Sequence, residues 1–292
     1  MLLPEVYDAI KPALVFFSPK TREKGEETPR NRMPAIIGTG FVVDEGIVVT
    51  NDHVIERFDT FPAVGGGRGH PGVCANILHP IDGNMTRVSI EVASAMVLAP
   101  EERGTDIYGS IVPDIGIVTI AARGLARVEV TEDLWPLPEG TRVATAGFPM
   151  GEDMMVAGEH MTQMSPTLQE GIVGALTPYH TGTARGFVAN IMSYGGSSGS
   201  PVFLTDQPLV VGLLYAGLDY PITVAEGKTA MIPTPFTYCV PGTDVARVVG
   251  VARKKPECRI PSGAPTVAQL IEQNRDILER RMREGTQGRA RT

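Results

Sequence analysis

Cysteine is too scarce here to hold the chain together. The 292 residues include three, Cys74, Cys239 and Cys258. The number is odd and the spacing wide, which argues against a disulfide framework and for a reducing compartment. Apolar runs long enough to span a membrane are also missing. Met1-Leu2-Leu3 runs at once into Pro4 and Glu5, and Leu14-Val15-Phe16-Phe17 is too short for a signal-peptide core. A cytoplasmic location is therefore expected. Positive charge is not in excess, since 26 Lys+Arg against 33 Asp+Glu leave a net charge of -7. That balance favours solubility and argues against nucleic acid as a main ligand. The glycine-rich stretch Val64-Gly65-Gly66-Gly67-Arg68-Gly69 lacks the Gly-Lys-Ser/Thr ending of a phosphate loop. His70, Cys74 and His79 are ligand types without zinc-motif spacing. Neither metal nor cofactor is expected.

What is abundant is turn-forming residue, with 33 glycines and 24 prolines. They punctuate short apolar runs, the pattern of many strands joined by tight turns. After a short helical turn, strands are expected near 13–17, 35–43, 47–50, 73–78, 86–98 and 115–120. A second series is expected near 142–146, 171–176, 187–192, 201–203, 209–216 and 230–240. Residues 151–166 form an insertion with Met154, Met155, Met161 and Met164, read as a surface loop or as a flap beside a cleft. Thr266-Val267-Ala268-Gln269 reads as a capping box, and Val267, Leu270, Ile271, Ile277, Leu278 and Met282 follow at near-helical spacing. An amphipathic helix is expected over about 266–284, ending in a basic tail.

Three segments carry chemistry. Gly195-Gly196-Ser197-Ser198-Gly199-Ser200-Pro201 holds a serine in a glycine-rich turn before an apolar strand. Such a turn exposes backbone N–H groups to a ligand. Thr50-Asn51-Asp52-His53 ends an apolar strand with a histidine, and Asp114 opens another at Ile115-Gly116-Ile117-Val118. A serine hydroxyl becomes a nucleophile only beside a base, and a histidine base needs a carboxylate to orient it. Asp106 is a weaker candidate for that acid, since no sustained apolar strand follows it. The order also excludes an α/β-hydrolase elbow at Ser197. That fold needs its histidine after the serine, and His53, His70, His79, His160 and His180 all precede it.

Together with Gly38-Thr39-Gly40-Phe41-Val42-Val43, Ala146-Gly147-Phe148-Pro149 and residues 169–176, these segments resemble the chymotrypsin-fold (trypsin-like) serine proteases. The likeness is to the bacterial HtrA/Deg and glutamyl endopeptidase branch, over roughly residues 33–217. It implies an all-β fold of two six-stranded antiparallel β-barrels with the active site between them, followed here by the C-terminal helix. The boundaries expected are an N-terminal arm at 1–32, a first barrel at 33–130, a second at 131–245 and an extension at 246–292. The last is too short for the PDZ domain that many HtrA proteases carry. The resemblance assigns Ser198 as nucleophile, His53 as general base, Asp114 as its orienting acid, and the N–H groups of Gly196 and Ser198 as the oxyanion hole.

The resemblance also places the substrate pocket at Met192 and at Leu214, Tyr215, Ala216 and Gly217. Leu214 stands where glutamyl endopeptidases have histidine, and Met192 where trypsin-type enzymes have a carboxylate. Without either charge an apolar P1 residue of small to medium size is expected, although His180 near the pocket leaves an acidic preference open. The extended polypeptide substrate is expected to pair with the strand at 214–217. Ser197 replaces the aspartate that answers zymogen cleavage in digestive relatives, so no such activation is expected. HtrA relatives are often trimers joined by N-terminal aromatics. Phe16 and Phe17 are thus read either as contacts of a homo-oligomer or as core. The contrasting function is a catalytically silent protease-fold scaffold.

Overall fold

A computed structural model describes residues 1–20, 36–61, 70, 72–81, 84–97, 105–106, 109–110, 113–149, 165–178, 184–225 and 228–275. The expectations for the charged segment at 21–32, the glycine-rich stretch, the methionines of the insertion and His180 fall outside these residues.

The chain opens with helix α1 (Leu3–Ile10), which buries Val6 and Ile10. Strands β1 (Leu14–Pro19), β2 (Gly38–Asp44) and β3 (Ile47–Thr50) follow, then the short helix α2 (Asp52–Glu56). Next come β4 (Val73–Ile81), β5 (Asn84–Val97), the two-residue pair β6 (Thr105–Asp106) and β7 (Gly109–Ser110), and β8 (Gly116–Ile120). Strands β1-β2-β3-β8-β5-β4 close into a six-stranded barrel because β1 pairs with both β2 and β4. The first barrel therefore begins at Leu14, inside the stretch expected to be an N-terminal arm. Valine, isoleucine and phenylalanine dominate these strands, and branched and aromatic side chains suit a pleated, packed surface. Phe16 and Phe17, considered above as oligomer contacts, are both 0% exposed. Their rings pack in tilted pairs with Phe148 at 4.8 Å and Phe58 at 5.1 Å between centroids. Each such burial contributes roughly 1.5–3 kcal/mol, so they are core.

The second half holds β9 (Glu129–Val130), β10 (Arg142–Gly147), β11 (Thr167–Thr177), β12 (Gly186–Ala189), β13 (Pro201–Leu204), β14 (Leu209–Ala225) and β15 (Lys228–Pro241). The order β13-β10-β11-β12-β15-β14 is closed by pairing of β13 with β14, giving a second six-stranded barrel. β9 adds in parallel to the outside of β14. The second core is small and includes Val143, Val173, Phe187, Val202 and Leu214.

Helix α3 (Gly242–Ala252) was not expected from the sequence. It buries Val245, Val248, Val249 and Ala252, one apolar stripe at helical spacing, and carries Asp244 in its first turn. Just past it, Arg253 donates Nε to Asp44 Oδ2 at 2.7 Å, tying the C-terminal extension to β2. Burial works against ionisation of Asp44. The Glu45 amide and the guanidinium groups of Arg253 and Arg127 outweigh it and hold the carboxyl below its usual range. The final described helix, α4 (267–275), begins at the expected capping box. Thr266 N–H donates to Gln269 Oε1 at 2.8 Å, and Gln269 N–H returns a bond to Thr266 Oγ1 at 3.2 Å.

Candidate active site

The site forms where the end of β3, the approach to β8 and the loop leading into β13 come together. β3 and β8 pair with Thr50 opposite Gly116, a register that sets residues just after β3 beside residues just before β8. His53 is the second residue of α2, and Asp114 lies just before β8. Asp114 Oδ2 is 2.6 Å from His53 Nδ1, and Asp114 Oδ1 accepts the His53 backbone N–H at 3.1 Å. Asn51 Nδ2 donates to the Asp114 carbonyl at 2.8 Å. Both carboxylate oxygens are thus spent on one residue, and the acid's main chain is fixed. Facing an ionised carboxylate, Nδ1 carries the proton, which leaves Nε2 as the basic nitrogen. The imidazole is 42% exposed, so that nitrogen is accessible.

Ser198 sits in the loop between β12 and β13. Two glycines flank it in the left-handed region, Gly196 at φ 93° and Gly199 at φ 88°. The loop is held by main-chain bonds from Ser197 N–H to Tyr194 O at 2.9 Å and from Gly199 N–H to Leu214 O at 3.0 Å. The first barrel supplies the remaining anchors through Thr39 on β2, which is 0% exposed. Thr39 N–H donates to Ser198 O at 2.8 Å, and its hydroxyl donates to Gly196 O at 2.7 Å. The same hydroxyl accepts the Phe148 N–H at 3.1 Å. Nothing in the sequence reading singled out Thr39. The available signal was a lone threonine between Gly38 and Gly40 in an otherwise apolar strand.

Gly38 shows how close the two halves of the site lie. A Cβ there would stand 2.7 Å from a Val54 methyl and 3.2 Å from Ser198 O. Val54 is the residue after His53, so Gly38 on β2 lies against both the histidine's own helix and the serine loop. Among the described residues, no hydrogen bond joins Ser198 Oγ to His53. Catalytic contacts of this kind are often longer without substrate. Among the described residues the N–H groups of Gly196 and Ser198 likewise donate to no protein acceptor, the condition an oxyanion hole requires.

Gly199 leaves no room for a side chain. A Cβ there would fall 2.0 Å from Thr39 O and 2.4 Å from Thr50 Oγ1. Gly199→Ala is therefore expected to push the loop off β2 and lower stability by about 3 kcal/mol or more, with left-handed strain included. Urea unfolding checks this, and an unchanged midpoint would contradict the packing described.

The residues expected around the substrate pocket are not equivalent. Leu214 is 1% exposed and packs in the second core. It reaches the site through its backbone, donating its N–H to Ser200 O at 3.0 Å. The reason is the pleat, which turns that side chain toward the barrel interior. Tyr215 packs between the barrels, its ring 6.1 Å from Tyr238. Burial, then Tyr238, Cys239 and Asp114, push its phenol upward, which sets it near the acid. Met192 is half-buried and accepts the Tyr194 hydroxyl at its sulfur. Ala216 is half-buried and Gly217 exposed, both on β14.

The profile of the Trypsin-like peptidase domain matches residues 38–213. No curated protein sequence matches the chain significantly. Among solved structures, the serine endoprotease from Yersinia pestis superposes with a TM-score of 0.51 at 15% identity. The alignment covers 86% of this chain and 66% of that one, so this chain spans about two thirds of its length. At that identity the likeness concerns the fold. With two closed barrels and the profile match extending over more than half of the residues, the chain belongs to the family of trypsin-like peptidase domains.

Proposed function

We propose that this chain is a serine endopeptidase. The observation that carries the reading is the two-point bond between Asp114 and His53, set beside a serine loop whose Gly196 and Ser198 N–H groups have no acceptor among the described residues. In this reading Ser198 Oγ attacks the scissile carbonyl carbon while His53 Nε2 takes its proton. The carbonyl oxygen becomes an oxyanion between the two free N–H groups. Collapse of that intermediate breaks the C–N bond, and His53 returns the proton to the departing amine. Water, deprotonated by the same nitrogen, then hydrolyses the acyl ester and frees Ser198. Asp114 keeps the imidazole in one tautomer and stabilises the imidazolium.

The substrate in this reading is an extended polypeptide. Among the described residues β13 pairs with β14 only as far as Leu213 and no other strand continues along that side of 215–217, an edge on which a third strand could pair. The P1 residue would be apolar and small. No charged side chain occurs at Met192, Ser193 or 214–217. A Cβ on Gly217 would stand 2.6 Å from Ser193 Oγ, so the two walls nearly touch. A charged P1 side chain would be desolvated there without a partner. Cleavage of a peptide panel is expected to favour Ala, Val or Leu at P1 over Arg, Lys, Asp and Glu by about tenfold or more in kcat/KM. Preference for a charged residue would contradict this. A reducing, cytoplasmic setting is part of the proposal, since Cys74, Cys239 and Cys258 are all free and buried.

A further inference from the structure

Three successive carbonyls of the serine loop are held, but by different residues. Thr39 on β2 takes two of them. Its hydroxyl donates to Gly196 O at 2.7 Å and its N–H to Ser198 O at 2.8 Å. The carbonyl between them, Ser197 O, is held from within the loop. It accepts the Ser200 N–H at 3.0 Å and the Ser200 hydroxyl at 2.6 Å. Ser197 is 4% exposed and Ser200 1%, so solvent is poorly placed to substitute for that hydroxyl. The neighbouring strand makes room for it. A Cβ on Gly147, the last residue of β10, would fall 2.0 Å from Ser200 Oγ.

We infer that Ser200 is a positioning residue for the oxyanion hole, its hydroxyl fixing the direction of the Ser198 N–H. The Ser197–Ser198 peptide is trans. Its C=O and N–H therefore lie in one plane and point in opposite directions. Holding the carbonyl toward Ser200 aims the Ser198 N–H the other way. On that side it meets no acceptor among the described residues. A carbonyl oxygen has two lone pairs, and Ser200 offers a donor to each. The main-chain donor comes with the turn itself, whereas the hydroxyl is an addition that only the side chain supplies. Two donors from different directions resist rocking of the plane better than one. A bond accepted at the carbonyl also polarises the amide and makes its N–H a stronger donor. A donor aimed before the reaction needs no reorganisation when charge develops on the substrate oxygen. Being buried, Ser200 Oγ acts through this peptide plane and not on substrate. Thr145 supplies the contrast. Its hydroxyl, on a residue 3% exposed, donates to Pro201 O at 2.8 Å. That bond is of the same kind one residue further on, but it holds the start of β13 and no N–H of the hole.

The inference rests on the endopeptidase reading, and its test separates the two. Ser200→Ala keeps the main-chain bond and is expected to fold as the wild type does by circular dichroism. Its kcat on a peptide amide should fall about 10- to 100-fold with KM unchanged, a part of the effect of deleting an oxyanion donor outright. Affinity for a peptidyl boronic acid, whose tetrahedral adduct sets an oxygen in the hole, should fall by a similar factor. Thr145→Val is expected to lower the unfolding midpoint as Ser200→Ala does but to leave kcat and boronate affinity as they were. Full kcat and full boronate affinity in Ser200→Ala would overturn the inference and leave the endopeptidase reading standing. Equal losses in Thr145→Val would also overturn it, reducing the Ser200 hydroxyl to a structural bond. A wild type that neither cleaves peptides nor takes a fluorophosphonate would overturn the reading and the inference with it.

Discussion

Ser198→Ala is expected to lower kcat/KM for peptide hydrolysis by about four to six orders of magnitude while leaving the fold intact. The size follows from chemistry. With the hydroxyl gone there is no acyl-enzyme route, and what remains is the contribution of the oxyanion hole and substrate binding. The selectivity follows from structure. Among the described residues Ser198 Oγ makes no hydrogen bond, whereas the residue's carbonyl is held by Thr39 N–H at 2.8 Å. Alanine keeps that carbonyl and the N–H intact. Unfolding midpoints of the two proteins should therefore agree within roughly 0.5 kcal/mol. KM, where substrate binding is in fast equilibrium, should move little. Activity within tenfold of the wild type would assign the chemistry to another group.

Asp114→Asn is expected to have the next largest effect, about 10⁴ in kcat with little change in KM. The carboxylate accepts two N–H groups, His53 Nδ1–H at 2.6 Å and the His53 main-chain N–H at 3.1 Å. Asparagine has only one acceptor oxygen. If it serves the main chain, its NH₂ faces Nδ1 and forces the proton onto Nε2, the nitrogen that must be free. If it serves Nδ1, the main-chain N–H loses its partner and no negative charge stabilises the imidazolium. Either way the base is disabled while the pocket at 214–217 stays as it was. A purely structural role for Asp114 would instead show as a loss of stability with kcat nearly intact. Steady-state kinetics beside thermal unfolding separates the two.

The fold class is legible in the sequence, and so are the residues of the candidate site that the structure brings near one another, because each is announced by local pattern. His53 follows a run of four strand residues, Asp114 precedes another, and Ser198 lies among residues that turn. What escaped the sequence depends on distant contacts. β1 belongs to the first barrel, but its partners lie beyond a charged, proline-bearing stretch that reads locally as a break. α3 escaped because Val245, Val248 and Val249 are β-branched and weak helix formers. Packing of their common face overrides that preference. The outer part of β14, residues 217–225, escaped because Pro221 interrupts the alternation there, although its partner strand was expected at 230–240. Thr39 escaped because its role exists only once the barrels meet. Leu214 was assigned to the pocket by likeness alone, and the direction of its side chain is set by the barrel, not by its neighbours in sequence.

The most direct test is covalent. Wild-type protein treated with a fluorophosphonate should gain one adduct by intact mass, located by peptide mapping to Ser198. Labelling should vanish in Ser198→Ala and slow by orders of magnitude in His53→Ala. A folded wild type that takes no label, or one labelled elsewhere, would contradict the account and leave a protease fold serving as a scaffold.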